Sequence, residues 1–222
     1  MTRKFDPALI PPKPDLSFEQ PLWAAGLRYI AGIDEAGRGP LAGPVCAAAV
    51  ILPAEDSLEQ RLYGVRDSKQ MLPSQRAYWV EVVKSEAISY GVGFASSEEI
   101  DEAGILPATK LAIERALVML RVHPDHLLLD HLKLPGNTTQ QTAITKGDAR
   151  SLSIAAASIL AKTSRDALMV EMDSLYPAYG FAKHKGYATP GHLRALLEFG
   201  PCPIHRYSFA PINRQNGEVS LA

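Results

Sequence analysis

The sequence predicts an α/β fold, a mixed β-sheet flanked by helices with a small helical extension on the C-terminal side. Three observations lead there. Two apolar runs, residues 29–33 and 45–52, flank a glycine-bearing turn and read as a buried antiparallel hairpin. A later run, His126-Leu127-Leu128-Leu129, is apolar without alternation, as in a parallel strand covered on both faces. Between and after these runs lie stretches of helical periodicity, at 106–120 and 153–175, so strands and helices alternate along the chain.

At 222 residues the chain can bury one sizeable core. The expected organisation is an extended Pro-rich arm at 1–27, a domain at 28–212 that includes the C-terminal helical part, and a tail at 213–222. Pro7, Pro11, Pro12, Pro14 and Pro21 deny the arm a run of backbone donors. A hydrophobic content of 46% with 21% charged residues is that of a globular protein and argues against disorder. No apolar stretch approaches the length of a membrane span, and the N-terminus lacks a signal-peptide core, so a cytoplasmic protein without membrane contact is expected. Cys46 and Cys202 match no metal or disulfide spacing. The net charge of −1 exerts no overall pull on nucleic acid, but it is uneven: residues from 174 onward carry +3 and the remainder −4. A basic surface beside an acidic pocket is compatible with that split.

The hairpin has its acids at the tip. In Gly32-Ile33-Asp34-Glu35-Ala36-Gly37-Arg38-Gly39-Pro40 two carboxylates end an apolar strand, where acids are disfavoured unless a cation or a metal meets them. Gly37 and Gly39 permit a positive φ and close ligand approach, and Arg38 offers a forked donor to a phosphate or carboxylate. Adjacent residues on a regular strand face opposite sides. Either the chain has begun to turn at Glu35, or Glu35 reaches the site of Asp34 indirectly.

Further along, Asp67-Ser68-Lys69 precedes a helix predicted over 73–90. Ser68 and Lys69 there suit either a phosphate contact or an ordinary helix cap. A strand at 91–95 and a short acidic helix at 97–102 follow, then the amphipathic helix 106–120 and the strand 126–130, which ends in Asp130. Carboxyl ends of strands are where sites gather in open α/β sheets. A strand at 142–145 leads to Lys146-Gly147-Asp148 and the long helix 153–175. Alone, Asp148 reads as a helix-start acid. Asp166, deep in that helix, is expected to pair with Arg165 or Lys162 in a structural role. The loop 179–190 interleaves Tyr187 and other aromatics with Lys183, His184 and Lys185, a mixture that suits phosphates and stacking, although Tyr187 suits a buried anchor equally well. A helix at 190–198 and an apolar end at 205–212 close the fold.

Asp34, Glu35, Asp130 and Asp148 thus come from three segments. Brought together they would repel one another unless cations sit between them. An all-oxygen donor set suits Mg²⁺ or Mn²⁺ rather than zinc. Two such ions would stabilise the attacking and leaving oxygens of a phosphodiester displacement.

From residue 28 to 211 the chain resembles the type 2 ribonuclease H family. The resemblance rests on the first motif through Val45, Asp67-Ser68-Lys69, Leu127-Leu128-Leu129-Asp130, Lys146-Gly147-Asp148 with the Ala155-Ala156-Ala157-Ser158-Ile159-Leu160-Ala161-Lys162 helix, and His184-Lys185-Gly186-Tyr187, in that order. It implies a ribonuclease H-like fold and a metal-dependent endonuclease acting on RNA–DNA hybrids and on duplex DNA holding a lone ribonucleotide. Cleavage would fall 5′ of the ribonucleotide, as in ribonucleotide excision repair. The metal-binding catalytic acids would be Asp34, Glu35, Asp130 and Asp148, holding two Mn²⁺ or Mg²⁺ ions. Gly37, Arg38 and Gly39 would read the 2′-hydroxyl and phosphates, Tyr187 would stack on the neighbouring deoxyribose, and Ser68, Lys69 and Lys146 would contact substrate; a monomer is expected. His131 departs from the pattern, since members usually carry Gly after this Asp. A type 3 enzyme would carry a folded N-terminal domain that the 27-residue arm cannot hold, and a resolvase or transposase would lack the Gly-Arg-Gly turn. A metal-independent nucleic-acid-binding module is the rival outside the enzymes.

Overall fold

The computed structural model describes residues 5–212 and 218–220. Five strands form one sheet in the order β3-β2-β1-β4-β5: β1 Ile30–Ala36, β2 Val45–Ile51, β3 Ser89–Ala95, β4 His126–Asp130 and β5 Gln140–Ile144. The first three are antiparallel neighbours, while β4 runs parallel to β1 and β5 parallel to β4. The sheet is mixed, as the hairpin and the unbroken apolar run at β4 foretold. The helices are α1 Glu19–Ala24, α2 Leu58–Arg61, α3 Pro73–Glu86, α4 Ser97–Ala103, α5 Ile105–Val118, α6 Leu152–Leu175, α7 Phe181–His184 and α8 Pro190–Phe199.

Strand alternation places the helices on both faces. In β2, Cys46, Ala48 and Val50 join the core beneath α3 and α6, whereas Val45, Ala47, Ala49 and Ile51 join the core beneath α5. The small residues of α6 let its axis come close to the sheet. A Cβ on Gly32 would stand 2.2 Å from the backbone carbon of Ser153, so only glycine fits where β1 passes the helix start. This contact brings the end of β1 and the segment before α6 to one place. The sheet's first parallel pair closes there too, with Ile33 opposite Leu129.

Two expectations need correction, and one is met. The N-terminal arm is not merely extended. Leu16 and Glu19 are fully buried, α1 forms, and the bridge Asp15–Ser151 fastens the arm to the start of α6. Leu16, Phe18, Leu22 and Trp23 supply apolar contacts, and Pro21 lies in the first turn of α1, where backbone N–H groups lack intrahelical partners in any case. Helix α3 stops at Glu86, short of residue 90, because Ser89 and Tyr90 pair with Ile51 and Val50 as part of β3. Asp166 pairs with Lys162 at 2.7 Å and Arg76 at 3.5 Å, while Arg165 turns the other way, into the protein. The tail expected at 213–222 lies outside the described residues except for 218–220, where Val219 pairs with Ile212.

Candidate active site

Asp34 stands near the end of β1, one residue past the last pairing with β4, and is only 4% exposed. Burial above all, and then the charges of Glu35, Asp130 and Asp148, push its carboxyl well above the ordinary range. These acids therefore lie within electrostatic reach of one another. Asp130, at the end of β4, is raised by burial and by Asp148, against a 2.7 Å hydrogen bond that its Oδ1 accepts from the Gly147 N–H. Asp148 sits in a 3₁₀ turn, Gly147–Ala149, ahead of α6, and its Oδ2 is 3.3 Å from the Lys69 ammonium. Burial alone would lower Lys69, but Asp67, Asp148 and Asp34 outweigh it and hold the ammonium above its ordinary value.

The pairing of β1 with β2 stays regular through Ala36 opposite Cys46, so the chain has not turned at Glu35. Strand alternation sends Glu35 away from Asp34, and its Oε1 meets the Arg38 guanidinium at 3.2 Å. Burial raises Glu35, Arg38 opposes that, and Asp130 and Lys69 are both felt there. Glu35 thus borders the cluster from the far side of the strand.

A groove of about 1010 Å³ adjoins these groups, lined by Glu35 and Asp130 and, among others, by Gly37, Arg38, Gly39, Ser68, Lys69, Lys146 and Tyr187. Every substrate-binding candidate from the sequence reaches it. Gly37 has a φ of +93°, and a Cβ there would collide with the Arg165 side chain at 1.9 Å, so the turn needs glycine on both counts. Tyr187 is 43% exposed, not a buried anchor, and its ring stands across from Gly39 with the Lys162 ammonium 5.9 Å from the ring centre. Ser68 is buried, and its hydroxyl accepts from Ser158 Oγ at 2.8 Å, which ties the turn bearing Lys69 to α6. His131 has a φ of +62°, a left-handed conformation in which glycine is at ease, so the expected Gly at this position has a backbone reason.

The donor set fits a hard divalent cation. Asp34, Glu35 and Asp130, whose proton affinity is raised, form with Asp148 an all-oxygen cluster whose repulsion a cation would relieve. Among the described residues no group of three or more His, Cys, Asp or Glu side chains is arranged to enclose an ion by itself. Mg²⁺ seldom asks for a protein cage; it is held by one or two carboxylates together with waters and substrate phosphates.

The family model described as Ribonuclease HII matches residues 31–212. The chain belongs to the ribonuclease HII family. A Ribonuclease HII of Desulfitobacterium hafniense is 56% identical over 197 residues, covering 89% of this chain and 74% of that protein. One from a Synechococcus species is 51% identical over 208 residues, covering 93% of each chain. The crystal structure of ribonuclease H2 from Pyrococcus horikoshii superposes with a TM-score of 0.68 at 29% identity, covering 82% of this chain and 94% of that one. The fold is ribonuclease H-like, and the protein is an endonuclease that hydrolyses the RNA strand of RNA–DNA hybrids. No helix among the described residues is long and apolar enough to cross a membrane.

Residues outside the sequence-based set also shape this site. Arg165, Arg206, His192 and His205 are all buried, beneath the segments that carry Gly37-Arg38-Gly39 and Tyr187. Burial lowers both guanidiniums, Arg206 to about 9. A buried Arg whose partners are backbone carbonyls leaves no signature in a single sequence, since its acceptors can belong to any residue type.

Proposed function

We propose that the acids Asp34, Glu35, Asp130 and Asp148 hold two divalent ions, Mg²⁺ or Mn²⁺, and that the enzyme cuts on the 5′ side of a ribonucleotide to leave 3′-hydroxyl and 5′-phosphate ends. The observation that carries this reading is the meeting of acids from β1, β4 and the turn before α6 beside a groove walled by Gly37-Arg38-Gly39 and Tyr187. When bound, the ions would supply Lewis-acid stabilisation to a phosphodiester displacement. The chain's own residues do the rest. Gly37-Arg38-Gly39 presents backbone N–H groups and a guanidinium where the 2′-hydroxyl and its phosphate lie, the 2′-hydroxyl being the group that separates RNA from DNA. Tyr187 offers an exposed ring to the neighbouring deoxyribose. Lys69 and Lys146 contact backbone phosphates from the opposite wall, and Ser68 fixes the turn from which Lys69 extends.

The fourth acid has a competitor. Asp166 lies on the α6 side of an adjoining groove, held by Lys162 and Arg76, whereas Asp148 is the one whose charge reaches Asp34 and Asp130. That reach favours Asp148. In the cell the enzyme is read as a cytoplasmic monomer that removes ribonucleotides from duplex DNA. The test is metal titration with a chelator control on a duplex carrying one ribonucleotide: a single divalent-dependent nick 5′ of it is expected. Binding without a nick under every metal would leave only a nucleic-acid-binding module.

A further inference from the structure

Beneath the groove two consecutive residues, His205 and Arg206, are fully enclosed, and their side chains lead to different substrate-facing elements. The Arg206 guanidinium spends one nitrogen on each of three carbonyls: Nε donates to Gly43 at 2.9 Å, Nη1 to Arg38 at 3.0 Å and Nη2 to Gly37 at 2.6 Å. In a trans peptide the N–H that follows a carbonyl points the opposite way. Gly37 and Arg38 therefore turn their carbonyls to Arg206, and the N–H groups of Arg38 and Gly39 point away from it. The guanidinium thus fixes both peptide planes of the turn and sets a buried positive charge behind them.

His205 leads to Tyr187. Its Nε2 lies 2.9 Å from His192 Nε2, and His192 Nδ1 lies 3.0 Å from the Tyr187 carbonyl oxygen. That oxygen can only accept, so His192 carries its proton on Nδ1 and accepts at Nε2 from His205 Nε2–H. His205 Nδ1 faces both the Cys202 N–H at 2.9 Å and the Cys202 carbonyl at 3.2 Å; the carbonyl already accepts from the His205 N–H, and the shorter contact makes Nδ1 an acceptor from the Cys202 N–H. One arrangement of protons satisfies all three hydrogen bonds, and it requires both rings neutral. Burial favours that state, holding each imidazole down to about 4.

We propose that His205-Arg206 is a two-armed brace that positions both ribonucleotide-reading elements, Arg206 holding the Gly37-Arg38-Gly39 turn and His205, through His192, holding the Tyr187 loop. The backbone joins the arms as well: the Arg206 N–H donates to the Leu41 carbonyl at 2.8 Å, His205 pairs with Ala42, and the Leu41 N–H donates to the Gly186 carbonyl at 2.8 Å. The brace rests on the reading of those two elements as substrate contacts, and its residues are positioning residues that need not touch substrate.

The test measures kcat and KM on duplex DNA with one ribonucleotide, with a thermal melt of each variant. Arg206→Lys keeps the charge but loses the fork; kcat/KM is expected to fall about 10- to 100-fold, as a reacting group displaced by about an ångström requires. If Arg206 acts through the turn, the double variant with Arg38→Ala loses less than the product of the two single losses. His192→Leu is expected to lose about tenfold, chiefly in KM, and His192→Asn, whose amide can still donate to the Tyr187 carbonyl, to recover most of it. A folded Arg206→Lys within twofold of the parent, strict multiplicativity with Arg38→Ala, or equal losses in His192→Leu and His192→Asn would each overturn the brace. Should Arg206→Lys fail to fold, the His192 pair decides alone. Silent Arg38→Ala and Tyr187→Ala would instead overturn the reading of the two elements, so the two failures are told apart.

Discussion

Asp34 and Arg206 are both charged, both buried and both near the Gly37–Arg38 turn, yet they are buried on opposite terms. Arg206 gives each of its three nitrogens a carbonyl acceptor within the protein. Asp34 accepts from the Glu35 backbone and is within electrostatic reach of Lys69, but three carboxylates repel it. A saturated buried charge fixes shape, whereas an unsaturated one stores a demand that an external cation can meet. The second kind lies at the strand ends beside the groove, and the first kind behind the Gly37-Arg38-Gly39 turn that lines it.

The largest effect comes from breaking the unsaturated side. Asp34→Asn is expected to reduce cleavage of the single-ribonucleotide duplex by about 10³-fold or more, a loss of the size seen when a principal electrostatic group is removed. Duplex binding should persist, and the melting temperature without divalent ions should rise, because one repelling charge is gone. Full activity of this variant with Mg²⁺ would remove Asp34 from the mechanism.

The next experiment sharpens the edge of the acidic cluster. Asp148→Asn is expected to cost more activity than Asp166→Asn, since the charge of Asp148 reaches Asp34 and Asp130 while Asp166 is held by Lys162 and Arg76. The reverse order, with Asp166→Asn as damaging as Asp34→Asn, would make Asp166 the fourth acid and its two ion pairs a resting state that substrate and metal displace.

The two sides were unequally legible in the sequence. The acids are visible because carboxylates at strand ends break a strong rule, and the sheet, its mixed direction and the long α6 follow from uninterrupted apolar runs and helical periodicity. The brace is hidden because its acceptors are carbonyls, which every residue possesses. Arg165 illustrates this: next to Asp166 it invites an ion pair, yet it donates to Pro44, Lys185 and Ala42. Glu19 was lost for a similar reason. Proline density made the arm read as extended, although Glu19 accepts from Ser151 and Ser153 at the start of α6, near the turn that carries Asp148. Deciding that required the tertiary position of α6, which local pattern does not encode.

Proton linkage separates the sides again. His192 and His205 are held down to about 4 by burial, below the unfolded value of 6.5. As pH falls from about 6.5 to about 4, the unfolded chain takes up protons that the folded protein refuses, so this region loses stability. Asp34, Glu35 and Asp130 are raised, so the stability linked to them is present at low pH and lost as pH rises through their folded values. Replacing His192, which stacks on the ring of His184, isolates one term. His192→Asn is expected to flatten the fall in stability between pH 6.5 and 4, by on the order of 2 kcal/mol at pH 5. An unchanged pH slope would mean that this ring is already charged in the folded protein.

The smallest expected effect lies at His131, between the two sides. Its φ of +62° belongs to the left-handed region, where an L side chain costs about 1 kcal/mol, and its N–H is committed to the Ile144 carbonyl at 3.1 Å, which fixes the backbone whatever the side chain. His131→Gly removes that strain but frees the unfolded chain by a comparable 0.5–1 kcal/mol, roughly the entropic penalty of glycine. The two nearly cancel, so the melting temperature should move by less than about 2 °C. Cleavage should stay within about threefold, because the ring lines the groove beside Asp130 and its charge is the smallest of the influences on that carboxyl. A tenfold loss of activity in His131→Gly at unchanged melting temperature would show that the ring itself acts on substrate, and would bring a residue outside the four acids into the chemistry of the floor.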